Sequence, residues 1–248
     1  MRTRLRASGA KVLLFLALSL SVPAVSAAGD SPNTEYFAGF DLSDNYASGY
    51  VGGGYALGKA GLHEPGFRLR AVGAYGRYHY DGTLFAGGVT LPITFEGQDA
   101  YLAALAGYQF HAGHSVLKLF AGIEAEDQDI APRDPNNSVQ GSALGLKLQA
   151  EFWRDLSERM FLSADASYGT AFQEYWALMR LGYRLRPRLA LGIEGGAVGN
   201  EEYDAGRGGG FVRVYFCNIE TTLSAGFTGN YLEDKPSGYV ALGLYRQF

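Results

Sequence analysis

Apolar and polar residues alternate along most of the chain, which is the two-residue repeat of β-strands with two unlike faces. The clearest run places Leu144, Leu146 and Leu148 on one face and Lys147 and Gln149 on the other. Twelve such segments are predicted, at residues 34–42, 46–57, 66–80, 98–110, 115–127, 139–153, 159–170, 173–186, 188–199, 207–217, 218–229 and 237–248.

Two of these segments have a second interpretation. Residues 100–110 also fit a buried helix, and residues 46–57 are mostly small. A ten-stranded barrel with a plug is therefore the alternative to the twelve-stranded barrel.

The aromatic residues distinguish a membrane barrel from a soluble β-sandwich, which also alternates. If the strands run alternately up and down from a periplasmic N-terminus, two aromatic girdles flank a band of small and aliphatic residues, as a lipid-facing surface requires. The periplasmic girdle would hold Phe67, Phe152, Tyr183, Phe216 and Phe248. The outer girdle would hold Tyr75, Tyr168, Tyr175 and Phe227. We therefore predict an all-β, antiparallel, up-and-down transmembrane barrel.

Connection lengths fit the same arrangement. Predicted periplasmic turns are short, at residues 186–188 and at Asn218, whereas a long loop at 81–97 and a polar one at 130–138 fall outside. The short outer loop at 43–45 is an exception. The last strand ends in Phe248, which resembles the closing strand of outer-membrane barrels, and Arg246 is expected to snorkel to the interface.

The N-terminus predicts export. Arg2, Arg4, Arg6 and Lys11 precede an apolar run too short to span a membrane, followed by small residues up to Ala27. We predict a signal peptide over residues 1–27, cleaved near Ala27, and a barrel over 28–248 in the outer membrane, in contact with its lipid and lipopolysaccharide. Removing four positive charges moves the formal net charge from -4 to -8, which disfavours nucleic-acid binding.

Composition supports a strand-rich fold without disulfide bonds. Glycine, at 35 of 248 residues, is about twice as frequent as usual and would weaken helices. The single cysteine, Cys217, excludes an intrachain disulfide.

Motifs for catalysis or cofactors do not stand out. His111 and His114 fit a solvated turn better than a metal site. Residues after position 123 that could offer oxygen ligands fit a solvated acidic loop better than a calcium site; they are the acidic Glu124, Glu126, Asp127, Asp129 and Asp134 and the amides Asn136 and Asn137. A lipid A-modifying enzyme would need a triad near the outer rim, but His79 falls on the face opposite to Asp165 and Ser167. We expect that the protein is not an enzyme and binds no cofactor.

A polar lumen is the most informative set of side chains. Residues of both charge signs fall on predicted inward faces and indicate an ion-pair network that fills the barrel: Arg68, Arg70, Lys118, Glu124, Lys147, Glu151, Asp165, Arg180, Arg184, Glu194, Arg213 and Glu220. The functional interpretation is a polar conduit or a sugar-contacting lining, helped by inward Tyr78 and Tyr80. Twelve strands leave too little room for wide polymer passage.

Residues 35–82 resemble the opening of the bacterial cellulose biosynthesis protein BcsS family. The resemblance rests on the start at 39–41, the Gly-rich strand at 50–57, and the GFRLR run at 66–70 that continues to Gly76, Arg77, Tyr78 and Tyr80. It implies a role in making or exporting cellulose, with cellulose or its export machinery as partner. The alternatives are a lipid A-modifying enzyme and a narrow small-solute porin.

Overall fold

The computed structural model describes residues 32–58 and 61–248, and the predicted signal peptide lies outside them. The described chain forms twelve strands in a closed antiparallel barrel in which sequence neighbours pair. They are β1 (Thr34–Ser43), β2 (Tyr46–Ala56), β3 (Gly66–Ala86), β4 (Val89–Ala112), β5 (Ser115–Ala131), β6 (Gly141–Asp155), β7 (Met160–Gly169), β8 (Tyr175–Arg186), β9 (Leu189–Asn200), β10 (Tyr203–Phe216), β11 (Ile219–Asn230) and β12 (Glu233–Gln247).

Pairing of β1 with β12 closes the ring. Glu35 lies opposite Gln247 and Ser43 opposite Tyr239, and the Phe248 carbonyl accepts hydrogen bonds from the amides of Asn33 and Thr34. Closure satisfies the backbone groups of both edge strands, which lipid could not do. The end of the barrel that carries the Glu35–Gln247 pair is called the terminal end, and the opposite end the distal end.

The predicted twelve strands are confirmed, and the ten-stranded alternative with a plug is wrong. Residues 100–110 belong to β4, so the helical interpretation of that segment is wrong as well. No helix in the described residues is long and apolar enough to cross a membrane.

The predicted outer loop at residues 81–97 is also wrong. β3 and β4 continue there as a long hairpin, paired from Gly66 opposite Gln109 to Ala86 opposite Val89. Gly87 and Gly88 make its two-residue turn with φ of 61° and 83°, a conformation that glycine adopts without strain. The glycines of this segment are typical of loops and therefore favoured the loop prediction. The alternation of apolar residues nevertheless continues through the segment.

The outward face is apolar and open. Leu144 is 86% exposed, Phe227 76% and Phe216 72%, values that a soluble protein could not tolerate over a whole surface. The members of both predicted aromatic girdles share this face by register. Arg246 also lies outward, with its guanidinium 4.3 Å from the centre of the Phe248 ring.

The interior is packed with large side chains opposite glycines. Phe161 is 1% exposed, and a Cβ added at Gly182 would overlap its ring. The polar residues described next lie in this interior.

Candidate functional site

The twelve residues expected to line the lumen all share the inward face by strand register. The structure brings ten of them into ion pairs, described below. Arg68 instead donates to backbone carbonyls of the β2–β3 turn, at 3.1 Å from the Gly61 oxygen and 2.5 Å from the Glu64 oxygen. Asp165 lies opposite Glu151 in the β6–β7 ladder.

A first set of ion pairs, the Glu35 network, crosses the terminal half of the lumen. Glu35 on β1 accepts from Arg70 of β3 at 2.8 Å and from the Tyr245 hydroxyl of β12 at 2.7 Å. Lys118 on β5 lies 3.6 Å from Glu35 and 3.3 Å from Glu151 of β6, which also pairs with Arg70. Because β3 and β6 are not neighbours, these contacts connect separate parts of the wall.

A second set, the Glu194 network, gathers strands β8 to β12. Glu194 on β9 is 5% exposed and accepts from Arg180 Nε at 2.8 Å and from the Tyr239 hydroxyl at 2.7 Å. Arg207 of β10 lies 3.7 Å from Glu194 and 2.6 Å from Asp41 of β1. The two networks therefore tie the wall together on both sides of the β1–β12 seam.

A third cluster lies nearer the distal end. Lys147 pairs with Glu124 at 3.2 Å and with Glu174 at 3.7 Å, and oxygens of Glu124, Glu126 and Glu174 lie within 4.8 Å of one another. Within the described residues this is the one carboxylate, histidine or cysteine group compact enough for a metal ion. The Lys147 ammonium already supplies a positive charge there.

At the terminal rim, two arginines pack on aromatic rings. Arg213 pairs with Glu220 at 3.1 Å, and Arg184 with Asp155 at 2.5 Å. Their guanidinium groups lie 5.2 Å and 5.1 Å from the centre of the Phe161 ring.

A distal aromatic cluster bridges the other mouth. It consists of Tyr46, Tyr78, Tyr80, Phe95, Tyr203 and Tyr231. The Tyr231 ring lies 4.3 Å from Tyr78 of β3 and 4.8 Å from Tyr203 of β10, on nearly opposite walls. Asn45 holds the β11–β12 turn in place through bonds with the Tyr231 amide and carbonyl, at 2.9 and 2.8 Å. Tyr78 and Tyr80, expected to contact sugar, are only 4% and 5% exposed, because they pack into this cluster.

The other candidate groups are not brought together. His79 shares the outward face and lies apart from Asp165 and Ser167, so this triad does not form. The residues weighed for calcium do not form one site: those on β5 are divided between two faces, with Asp127 outward and Glu126 inward beside Glu124. Asp134 instead accepts a hydrogen bond from the Tyr80 hydroxyl at 2.8 Å, and burial together with this bond raises the pKa of Tyr80.

Several inward charged residues are missing from the sequence-based set, among them Glu35, Asp41, Asp99, Glu126, Asp155 and Arg207. The alternation of inward and outward positions along each strand would have identified these residues from the sequence. Glu126 shares a face with Glu124, and Arg207 shares one with Arg213.

Comparison with protein families decides where the chain belongs. A profile described as cellulose biosynthesis protein BcsS matches residues 35–248, which is nearly the whole barrel. The chain belongs to the BcsS family. The resemblance seen in residues 35–82 is therefore confirmed over a longer range. A search of curated proteins finds no match.

Solved structures similar to this BcsS-family chain are outer-membrane barrels. The translocator domain of the autotransporter NalP from Neisseria meningitidis aligns with a TM-score of 0.52 and 13% identity, covering 87% of this chain and 89% of that one. An outer-membrane channel from Pseudomonas putida F1 aligns with a TM-score of 0.50 and 13% identity, covering 92% and 100%. At these identities the likeness shows the fold alone, and that fold supports an outer-membrane location.

Proposed function

We propose that this protein is a non-enzymatic outer-membrane accessory in the biosynthesis or secretion of cellulose. The observation that carries the proposal is the BcsS family match over residues 35–248. The inward residues support it, because the carboxylate, guanidinium and ammonium groups of the described interior are engaged in ion pairs with one another.

The interior argues for an accessory rather than the main export pore. The Glu35 and Glu194 networks cross the lumen, and the distal aromatic cluster bridges one mouth. A glucan strand would have to displace buried charges that are already paired, at high cost.

The hairpin between β3 and β4 offers a contact surface for a neutral polymer. Residues 82–94 carry no charged side chain, although many residues at the same end of the barrel are acidic. On its inward-parity face lie Leu84, Val89, Leu91 and Ile93, and Val89 and Leu91 are 57% and 50% exposed. Sugar rings present C–H faces that pack on such an apolar surface.

Deleting the gene and staining colonies with calcofluor or Congo red tests the function. We expect loss of staining, restored by the wild-type chain, and an unchanged cellulose yield would contradict the proposal. Lipid A mass spectra of the same strain should be unaltered, since an altered acyl pattern would indicate an enzyme. Conductance in planar bilayers tests the porin alternative, and we expect little current.

The hairpin contact has a matched pair of variants. Leu91→Glu places a charge on the apolar face, whereas Thr90→Glu places the same charge on the opposite face of the same ribbon. We expect the first variant to reduce cellulose retention at the cell surface and the second to leave it near wild type. If both variants reduce retention equally, the loss comes from the added charge alone, and the contact through the apolar face is wrong.

A further inference from the structure

Two adjoining cavities open at the terminal end of the barrel and share Tyr215. Their volumes are about 200 Å³ and about 250 Å³. Together they fall within the ~300–1,000 Å³ of small-molecule sites. Tyr215 is 45% exposed, so its ring offers an open surface between them.

The first cavity is rich in positive charge. Its wall includes Arg184, Arg186, Arg188 and Arg213 and one acid, Glu220. Asp155 pairs with Arg184 from outside the wall, so two positive charges remain in excess. Arg186 and Arg188 flank the β8–β9 turn and are exposed. Such an excess in a partly enclosed space attracts anions.

Arg213 presents its donors in a fixed orientation. Its Nε lies 3.1 Å from Glu220 and donates to Thr222 at 3.2 Å, whereas its two terminal nitrogens make no hydrogen bond with any residue that the structure describes. The guanidinium packs beside the rings of Trp153 at 5.4 Å and Phe161 at 5.2 Å. An arginine held on aromatic rings with free terminal N–H groups matches a carboxylate or phosphate bidentately.

The second cavity offers mostly neutral polar groups. Beside Tyr215 it is lined by Pro32, Asn218, Tyr245, Arg246 and Gln247, and the Gln247 amide donates to the Tyr245 hydroxyl at 2.7 Å. The Arg246 guanidinium lies against the Phe248 ring. Amides and phenols can bond sugar hydroxyls, and the Tyr215 ring can stack on a sugar ring. An acid-binding cavity therefore adjoins a hydroxyl-binding one.

We propose that these two cavities form a binding site for an anionic oligosaccharide, with the acid group on Arg213 and a sugar ring on Tyr215. The site concerns a charged carbohydrate and lies apart from the neutral hairpin surface, so it goes beyond the proposed function and does not depend on it. An acidic peptide would satisfy the arginines but would leave the hydroxyl-binding cavity without a matching partner.

The first experiment compares two tetrasaccharides that differ only at C6. Cellotetraose and its C6-oxidised tetraglucuronate are titrated into the purified full barrel in detergent, and binding is followed through Trp153 fluorescence. The chain has two tryptophans, so a Trp176→Phe background isolates this signal. We expect the tetraglucuronate to bind at least tenfold tighter than cellotetraose. Equal affinities, or no binding of either, would overturn the proposal, and tighter binding of hexaglutamate would reassign the site to a peptide.

Three arginine variants locate the site. Arg213→Gln should weaken tetraglucuronate binding roughly tenfold, the size expected for one charge-assisted hydrogen bond. Arg186→Gln changes an exposed residue at the end of β8 and should weaken binding as well. Arg154→Gln removes the same charge from an exposed position at the same end that lines neither cavity, and should change nothing. If it weakens binding as much as the other two, the attraction is unspecific and the proposal fails.

Discussion

Replacing Glu194 with glutamine is the sharpest test of the charged interior. The carboxylate is 5% exposed and accepts from Arg180, Tyr239 and Ser224 at 2.7–2.8 Å. Glutamine keeps the shape but removes the charge that faces Arg180 and Arg207. Losing one partner of a buried ion pair costs about 3–5 kcal/mol because the other charge stays buried without compensation. The glutamine oxygen still accepts one hydroxyl, so we expect a loss near the lower bound, about 3 kcal/mol.

The assay is urea unfolding of the barrel in lipid vesicles, followed by the heat-modifiable gel shift and by tryptophan fluorescence. Glu158→Gln in the β6–β7 turn is the matched control, because Glu158 is exposed and should change the free energy of unfolding by less than about 0.5 kcal/mol. A loss below about 1 kcal/mol in Glu194→Gln would show that lumen water compensates for the missing charge. The account of the network as a structural element would then be wrong.

Three further predictions follow from packing, hydrogen bonding and titration. Gly182→Ala should destabilise the barrel by about 1–3 kcal/mol, since its Cβ would overlap a buried phenylalanine ring, whereas Gly208→Ala has open space and should be neutral in the same urea assay. Asn45→Ala removes the clamp on the β11–β12 turn and should cost about 2 kcal/mol and raise bilayer conductance; unchanged current would refute its role at the distal mouth. Hydrogen bonds from the Asn230 side chain and from the Asp81 amide lower the pKa of Glu233, so its contribution to holding the β3–β4 hairpin is present at neutral pH and is lost as pH falls through that lowered pKa. After correction for the intrinsic pH dependence of amide exchange, hydrogen-exchange protection of the hairpin should fall over that range in the wild type and stay constant in Glu233→Gln.

Most of the architecture could be predicted from sequence because a strand in a barrel has only two faces. Parity placed Lys147 and Glu151 inside without any knowledge of their partners. The hairpin was missed because Gly82, Gly87, Gly88 and Pro92 are also typical of loops, and only pairing across the two strands shows that the ladder continues.

The ion pairs themselves could not be predicted from parity. Glu35 and Lys118 meet across the lumen because closure, strand tilt and register bring β1 near β5, and none of these is local in sequence. Tyr78 and Tyr80 were correctly predicted to face inward, but they pack in the distal aromatic cluster instead of lining an open lumen. The turn that carries Tyr231 folds over them and buries the rings that were expected to meet sugar.

The seam between the first and last strands sets the order in which the barrel can assemble. Eleven of the strand pairings join segments that follow one another along the chain, so each can zip up from a short connection. The twelfth joins residue 35 to residue 247 and has the largest loop-closure entropy of all. Until it forms, the sheet has two edge strands with unpaired backbone N–H and C=O groups, and hydrocarbon cannot hydrogen-bond to them. The rate at which newly made chains reach the membrane-embedded state should therefore be limited by this last, long-range step.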